Sequence, residues 1–293
     1  MTLQLPFKQV DVFTSQGFKG NPVAVINCLN IEESQVTKEQ LQSVANWTNL
    51  SETTFIFKPS SDKYDYKLRI FTPKNELPFA GHPTVGSCKA FLEFTNNIGK
   101  KNVVYQECGV GVVTLSIEDG LISFEAAKTS VESIDTSIAN DYCQALGVTA
   151  IQSPKLLDVG PHWVVILVDN AQTCYNANPD YAKISQISKI NNHVGIILGG
   201  KRAGTINEYE MRAFAPVINV DEDPVCGSGA LSFIRYLKDI EDIKKTTNIK
   251  ITQGGRLERN GTIYGTIQVH DNSSVSYHIG GDSVTVIEGQ IQL

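Results

Sequence analysis

RAFAPVINVDEDPVCGSGA, residues 212–230, resembles an earlier stretch of the same chain, RIFTPKNELPFAGHPTVGS, residues 69–87. Both stretches begin with Arg-x-Phe-x-Pro and, after loops of different length, continue with Pro-x-x-Gly and an apolar run. A weaker pair of matches lies upstream, GNPVAVI at 20–26 and GPHWVVIL at 160–167. An internal duplication explains both pairs, and it predicts two structurally equivalent domains with a boundary near residue 118.

Short strand-like runs dominate the chain, and helical signals are fewer. Thr37 and Gln40 have the spacing of a capping box ahead of a predicted helix, and Asn178-Pro179 predicts the start of another. The two repeated stretches predict the most important helices, over 83–95 and 228–240, each entered through a glycine. The predicted strands include residues 21–26, 53–57, 66–71, 112–117, 121–125, 163–168, 194–198, 210–214, 265–269 and 283–287.

The glycines that open these two helices, Gly81 and Gly227, indicate places where an anion can bind. The first N–H groups of a helix have no acceptor within it, and the helix dipole adds partial positive charge. Side chains able to move or donate a proton stand beside them: His82 in one loop, Asp223 and Ser228 in the other. A cleft between two such domains is a favoured place for a ligand. The alternative is that both glycines are only permissive helix entries.

Composition narrows the class of ligand. The chain has 293 residues, 41% of them apolar, and a net charge of −6 with acids and bases interspersed. This pattern argues against nucleic-acid or membrane binding and favours a small-molecule ligand. The N-terminal stretch lacks the features of a signal peptide, and no apolar run is long enough to span a membrane, so a cytoplasmic protein is expected.

No cofactor or metal is predicted. The six cysteines contain no Cys-x-x-Cys pair, and the five histidines show no helical metal-ligand spacing. GVGV at 109–112 and QGGR at 253–256 do not continue into the glycine or Gly-Lys-Ser/Thr that a phosphate loop requires. Five of the cysteines are interpreted as buried reduced thiols.

Five separated motifs together resemble one protein family. They are DVFTSQGFKGNPVAVI at 11–26, NLSETTFIF at 49–57, the two repeated stretches and GGDSVTVIEGQIQL at 280–293. In this order and over nearly the whole chain they resemble the PhzF-like isomerases of phenazine biosynthesis, most of all fungal members whose substrate is not assigned. Taken alone, Glu52 within NLSETTFIF is better interpreted as a solvated carboxylate at the edge of a strand.

The resemblance implies the α+β fold called diaminopimelate-epimerase-like. In it, two pseudosymmetric domains each wrap a curved, mostly antiparallel sheet around a central helix. The first domain is expected to comprise residues 1–117 with a C-terminal strand at 281–293, and the second residues 118–280. The active-site cleft is expected between them.

The resemblance also implies a cofactor-independent isomerase or epimerase that moves a proton at carbon in a small carboxylate-bearing substrate. Glu52 takes the position of the family's proton-shuttling carboxylate. His82 and Asp223 take auxiliary proton-handling or positioning roles, and the substrate carboxylate is bound by Gly81, Gly227 and Ser228. An ordinary carboxylate is too weak a base to take a proton from carbon, so the proposed role requires a raised pKa. Burial of Glu52 is expected to raise its pKa toward the working pH. A homodimer is usual among the relatives and is expected here.

Cys226 invites a different mechanism. Related epimerases use two opposed thiols, one at the start of each central helix, but the position matching Cys226 in the first repeat is Ala80. A two-thiol mechanism therefore lacks its second group, and Cys226 is predicted to be structural. The rival to the enzyme is a small-molecule-binding or regulatory protein with the same pocket and no physiological turnover.

Overall fold

The two repeated stretches each fold into a strand, a short returning strand and a 14-residue helix. The computed structural model describes residues 3–127 and 129–293. The chain divides into two compact units, one formed by Met1–Glu125 with Gly280–Leu293 and the other by Ala126–Ile279. Each unit contains one of the two repeats.

The first unit contains most of its elements in one run of sequence. They are β1 (Gln4–Val12), β2 (Asn21–Asn27), α1 (Lys38–Thr48), β3 (Glu52–Phe57), β4 (Tyr66–Phe71), β5 (Glu76–Leu77), α2 (Gly81–Phe94), β6 (Val103–Cys108), β7 (Gly111–Glu118) and β8 (Leu121–Glu125).

The second unit follows with more helices. Its elements are β9 (Ser130–Ser133), α3 (Thr136–Leu146), β10 (Lys155–Asp158), β11 (His162–Val168), α4 (Ala171–Asn176), α5 (Tyr181–Asn191), β12 (Gly195–Lys201), β13 (Glu208–Ala215), β14 (Val220–Asp223), α6 (Gly227–Ile240), β15 (Thr247–Gln253), β16 (Gly261–Val269) and β17 (Val275–Gly281). The chain then returns to the first unit as β18 (Ser283–Gln292), which pairs antiparallel with β1.

Strand pairing follows the same scheme in both units. β2 and β3 run parallel, as do β11 and β12, and each parallel pair is joined through helical crossover connections, which parallel strands require. The next strand of each unit adds antiparallel, β4 to β3 and β13 to β12, and a second parallel pair follows in β4–β6 and β13–β15. Most of the other pairs are antiparallel. The predicted duplication and the mostly antiparallel α+β architecture are therefore confirmed.

The central helix of each unit lies inside its sheet. In α2, residues 82–88 are buried without interruption, and the helix contacts β1, β2, β3, β4, β8 and β18. In α6, residues 229–234 are buried, and the helix contacts β10, β11, β12 and β16. A helix that touches so many strands is surrounded by a curved sheet, and such burial on all faces is typical of a core helix.

Several boundaries differ from those expected. The first unit continues to Glu125, beyond the expected residue 117, because β8 forms a hairpin with β7 and stays with it. The central helices begin at the glycines themselves, Gly81 and Gly227, slightly before the expected residues 83 and 228. None of the helices in the described ranges is long and apolar enough to cross a membrane.

Only some of the helix starts were predicted correctly from local sequence patterns. The capping box of Thr37 and Gln40 is present at the start of α1. The start predicted at Asn178-Pro179 was wrong, because the Asp180 side chain accepts the N–H of Lys183 and starts α5 two residues later. The sequence pattern did not predict α3 and α4, which begin after the capping residues Asp135 and Asn170.

Gly86→Ala should test the close approach of α2 to its sheet. An added Cβ would lie 2.5 Å from Cγ1 of Val23 and 2.7 Å from Cγ2 of Val12, and both are stiff β-branched side chains. We expect the free energy of unfolding in urea to fall by about 1–3 kcal/mol, although alanine favours a helix by roughly 0.5–1 kcal/mol.

Gly289→Ala is the matched control, because a Cβ at this exposed position in β18 meets no atom within 4 Å. Its free energy of unfolding should change by no more than about 0.5 kcal/mol. Equal losses in the two variants would contradict close packing at Gly86.

Candidate active site

Glu52 is the first residue of β3 and is largely buried, with 15% of its side chain exposed. Residues 53–57 of the same strand are fully in the core, so the strand draws Glu52 inward. Asn49, in the left-handed conformation at the end of α1, turns the chain toward β3. Ser51, between them, donates a hydrogen bond from Oγ to Oδ1 of Asn21 at 3.3 Å. The carboxyl group is thus held by a rigid strand and a braced turn.

His82 is the residue of the first unit that faces this carboxyl group. It is the second residue of α2 and is buried, and its Nδ1 lies 3.3 Å from Oε2 of Glu52. A carboxyl and an imidazole at this distance can exchange a proton or share one with a ligand. The structure therefore brings together two of the residues that the sequence singles out.

The environment of Glu52 favours its neutral form. Burial raises the pKa of this carboxyl from its ordinary value of 4.5 to about 7, and the neighbouring Ser51 side chain acts in the opposite direction. Oε2 is buried and accepts no hydrogen bond from the residues that the structure describes, since its contact with Nδ1 of His82 at 3.3 Å lacks hydrogen-bond geometry. Its charged form is therefore poorly stabilised, and the group can gain or lose a proton near neutral pH.

The start of α2 offers backbone donors near this pair. Ala80, the residue before the helix, has no side chain that can cap it, and Gly81 is the first helical residue. The N–H groups of Gly81 and His82 have no acceptor within the helix, and Pro83 has no N–H. A Cβ at Gly81 would lie 3.1 Å from Cζ of Phe124. Glycine therefore keeps this helix end tightly packed and its backbone accessible.

Asp223 lies in the second unit, at the end of β14. Its Oδ1 accepts the N–H of Val225 at 3.0 Å, and its carbonyl accepts Nε2 of Gln253 at 2.7 Å. The same Gln253, which is buried, accepts the N–H of Cys226 through Oε1 at 2.9 Å. One amide side chain thus holds both ends of the turn that leads from Asp223 into α6.

A buried ion pair fixes the residue before Asp223. Arg212 donates from Nε and Nη2 to the two carboxylate oxygens of Glu222 at 2.9 and 2.8 Å, and both side chains are 3% exposed. The first unit repeats this pair, with Arg69 donating to Glu76 at 2.7 and 3.0 Å. Such two-point pairs fix geometry as well as charge. The repeated arginine of the motif is therefore a structural part of both loops.

Cys226 caps α6. Its Sγ accepts the N–H of Gly229 at 3.3 Å. Burial raises the pKa of this thiol well above its ordinary value, and the charge of Asp223 acts in the same direction. The neutral thiol is thus favoured, whereas a thiol base or nucleophile reacts as the thiolate.

Ser228 follows Gly227, the first residue of α6, and is half-buried. Its Oγ accepts a hydrogen bond from Nε1 of Trp163 at 3.2 Å and lies 3.5 Å from Sγ of Cys226. The N–H groups of Gly227 and Ser228, like those at the start of α2, have no acceptor within the helix.

The predicted residues thus fall into two groups. Glu52, His82 and Gly81 lie together in the first unit; the others, Asp223, Gly227 and Ser228, surround the start of α6 in the second. Sequence reasoning missed several supporting residues. They are Asn21, Ser51, Trp163, Gln253 and the Arg212–Glu222 pair.

Most of these lie within the quoted motifs: Asn21 in GNPVAVI, Ser51 in NLSETTFIF and Glu222 in the second repeated stretch. Arg212 belongs to the repeated Arg-x-Phe-x-Pro motif, and Trp163 to the upstream match between GNPVAVI and GPHWVVIL. Gln253 stands in the QGGR stretch, whose glycines suggested only a comparison with phosphate loops.

Comparison with known proteins gives a consistent assignment. The family model PhzC-PhzF, described as phenazine biosynthesis-like protein, matches residues 10–289. Antisense-enhancing sequence 1 of Schizosaccharomyces pombe is 38% identical over 294 residues, which cover 97% of each chain. The trans-2,3-dihydro-3-hydroxyanthranilate isomerase of Pseudomonas aeruginosa is 27% identical over 288 residues, or 97% of this chain and 98% of that protein.

A solved structure supports the fold. The crystal structure of a PhzF-family phenazine biosynthesis protein from Bacillus anthracis has a TM-score of 0.84 at 20% sequence identity and covers 100% of both chains. The diaminopimelate-epimerase-like fold expected from the five motifs is confirmed.

Glu52→Gln should change how stability depends on pH. The carboxyl group has a pKa near 7 in the folded chain and an ordinary value of 4.5, so folding favours its protonated form. Its contribution to stability is full below the ordinary value and is lost as the pH rises through about 7. One pH unit corresponds to about 1.4 kcal/mol. The free energy of unfolding of Glu52→Gln, relative to that of wild type, should therefore rise by roughly 3 kcal/mol between low pH and pH 8.

Urea denaturation of wild type and variant across this pH range measures the shift. Glu118→Gln, which replaces an exposed carboxylate at the end of β7, is the matched control. A pH-independent difference for Glu52→Gln would contradict the buried carboxyl group described above.

Cys226→Ser and Cys226→Ala should show whether Cys226 stabilises the protein by capping α6 or through its sulfur atom. A serine hydroxyl can accept the N–H of Gly229 as an N-cap. The free energy of unfolding of the Cys226→Ser protein should therefore stay within about 0.5 kcal/mol of wild type. Alanine removes the cap and should cost about 1 kcal/mol. The same urea measurement compares them, and a serine variant as unstable as the alanine variant would show that capping is not the role of this side chain.

Proposed function

Because the chain belongs to the PhzC-PhzF family of phenazine biosynthesis-like proteins, we propose that it moves a proton at carbon in a small carboxylate-bearing substrate, with Glu52 as the proton shuttle. The chain is a PhzF-like enzyme of the isomerase class, and relatives from Pseudomonas aeruginosa and Clostridium acetobutylicum are named isomerases. One observation carries the proposal: Glu52 combines a pKa of about 7 with a buried oxygen that accepts no hydrogen bond within the described residues.

The pKa of Glu52 suits a group that must act as base and acid in turn. An isomerase that takes a proton from one carbon and returns it to another needs both protonation states at its working pH. An ordinary carboxylate is almost fully ionised at neutral pH and a poor base. With a pKa of about 7, Glu52 is populated in both forms.

The charge left on the substrate needs its own stabilisation. Removing a proton from carbon is feasible when the electrons pass into a carbonyl or diene that oriented donors can meet. The N–H groups at Gly81 and His82 supply such donors close to Glu52. The imidazole of His82, 3.3 Å from the carboxyl group, is suited to hold the substrate or to pass a proton on.

Asp223, Gly227 and Ser228 complete the proposed assignment. The two backbone N–H groups and the hydroxyl at the start of α6 are suited to bind a substrate carboxylate, and Asp223 is a second proton-handling group. Their support is the rigid turn held by Gln253 and the Arg212–Glu222 pair. That these residues serve the same substrate as Glu52 stays a prediction.

The proposed chemistry uses only these side chains and backbone groups, with no metal or organic cofactor. The relative from Pseudomonas aeruginosa is named for the isomerisation of trans-2,3-dihydro-3-hydroxyanthranilate. That cyclic amino acid carries a carboxylate and is the first compound to test. The homodimer and the cytoplasmic location expected from the sequence stay predictions.

Hydrogen exchange at carbon tests the proposal directly. The protein is incubated in heavy water with trans-2,3-dihydro-3-hydroxyanthranilate and a panel of other small carboxylic acids, and exchange is followed by NMR. We expect Glu52→Gln to slow exchange by roughly 10²–10⁴-fold. The wild-type rate should rise as the pH increases through about 7, because the base must be ionised to accept the proton.

Two further variants sharpen the result. Glu118→Gln should exchange at the wild-type rate, because this exposed carboxylate lies outside the candidate site. Asp223→Asn should be slower if the groups around α6 act on the same substrate, and an unchanged rate would remove Asp223 from the assignment while leaving Glu52 in it. Tight binding of a panel compound without exchange would instead support the binding or regulatory protein.

A further inference from the structure

Trp163 is a buried residue for which the proposed chemistry has no role. It is the second residue of β11 and 3% exposed, and its Nε1 donates to Oγ of Ser228 at 3.2 Å. An indole N–H is a donor and never an acceptor. In this contact Ser228 must therefore be the acceptor, and the polarity of the hydrogen bond is fixed by the chemistry of the ring.

This polarity decides how Ser228 can meet a ligand. A hydroxyl has one O–H to donate and two lone pairs that accept. With a lone pair engaged by Trp163, the O–H is left to point away from the ring. Another polar side-chain atom near this hydroxyl is Sγ of Cys226 at 3.5 Å, where either group can donate, and sulfur is a weak acceptor. A carboxylate oxygen accepts such a proton far better.

The position that matches Trp163 in the first unit carries a side chain without a hydrogen-bond donor. In the strand register of the second unit, Trp163 stands opposite Gly195. In the first unit the matching pair is Val23 and Glu52. The buried aliphatic residue of one repeat is an indole in the other, and a buried indole N–H needs an acceptor. The second unit therefore has an additional donor directed at Ser228.

We infer that Trp163 is a positioning residue, which holds Ser228 so that its hydroxyl donates to a substrate carboxylate. The inference rests on the proposed function, in which Ser228 binds that carboxylate. It extends the assignment to a residue that need not touch the substrate, and it leaves the O–H of Ser228 directed at a hydrogen-bond acceptor.

Benzoate, a flat cyclic carboxylate, is the probe for the first test. All variants are made in Trp47→Phe protein, since Trp47 is 81% exposed and is the other of the two tryptophans. Trp163→Phe keeps an aromatic ring and removes the N–H, and the dissociation constant of benzoate, measured by calorimetry, should rise about three- to tenfold. Ser228→Ala should weaken benzoate binding as well, and adding Trp163→Phe to it should have no further effect.

Two outcomes of this test would overturn the inference. One is a dissociation constant that Trp163→Phe leaves unchanged. The other is an equal weakening by Trp163→Phe with and without the Ser228 hydroxyl, because Trp163 would then act through packing alone.

A second measurement leaves Trp163 in place. In Trp47→Phe protein, benzoate should shift both the fluorescence emission and the indole ¹H–¹⁵N resonance of Trp163, and Ser228→Ala should abolish the shifts. Benzylamine, which has the same ring and only donor groups when charged, should leave both signals unchanged. No shift with benzoate, or the same shift with benzylamine, overturns the inference.

These results are separable from the test of the proposed function. If exchange depends on Glu52 while benzoate is insensitive to Trp163 and Ser228, the inference fails and the proton shuttle stands. If benzoate behaves as expected while no compound exchanges, the role of Trp163 stands and the proposed turnover fails.

Discussion

The first turn of a helix carries N–H groups with no partner inside the helix. The first turns of both central helices lie beside the candidate site residues. α2 and α6 are each enclosed by the strands of their own unit. Cys226 satisfies one of the N–H groups of α6, whereas Ala80 has no side chain that could do the same for α2. Both units therefore present donors at Gly81 and Gly227 that an anion or a developing negative charge can satisfy. The need for an acceptor at these N–H groups comes from the fold itself and does not depend on the proton-moving side chains.

The two repeats share the residues that hold the loops in place and differ in the side chains beside the start of each central helix. Both repeats retain the arginine–glutamate pair that fixes the loop before the helix, Arg69–Glu76 and Arg212–Glu222. At the next position one repeat has Leu77 and the other Asp223. After the helix glycine, one has a histidine and the other a serine. Residues that hold the backbone are shared, and residues that would meet a substrate have diverged.

How much of this the sequence could predict depends on the range of each interaction. The capping box of α1 was predicted correctly, because its partners lie three residues apart and no distant contact competes. Glu52 was identified through its motif, but its burial comes from a whole strand packing into the core, which the pattern does not quantify. The bond from Trp163 to Ser228 joins residues 65 positions apart, and that from Gln253 to Asp223 joins residues 30 apart. No local periodicity encodes such contacts, so the supporting groups became visible only in the folded chain.

The return of β18 to the first unit has a consequence for biosynthesis. β1 pairs on one side with β2 and on the other with β18, and Leu3 and Leu293 exchange two backbone hydrogen bonds beyond the ends of these strands. A ribosome must translate the entire second unit before β18 emerges. Until then β1 is an open edge strand, the kind of edge that invites pairing with other chains. The second unit, whose elements are nearly all contiguous in sequence, can be completed while the first still awaits its final strand.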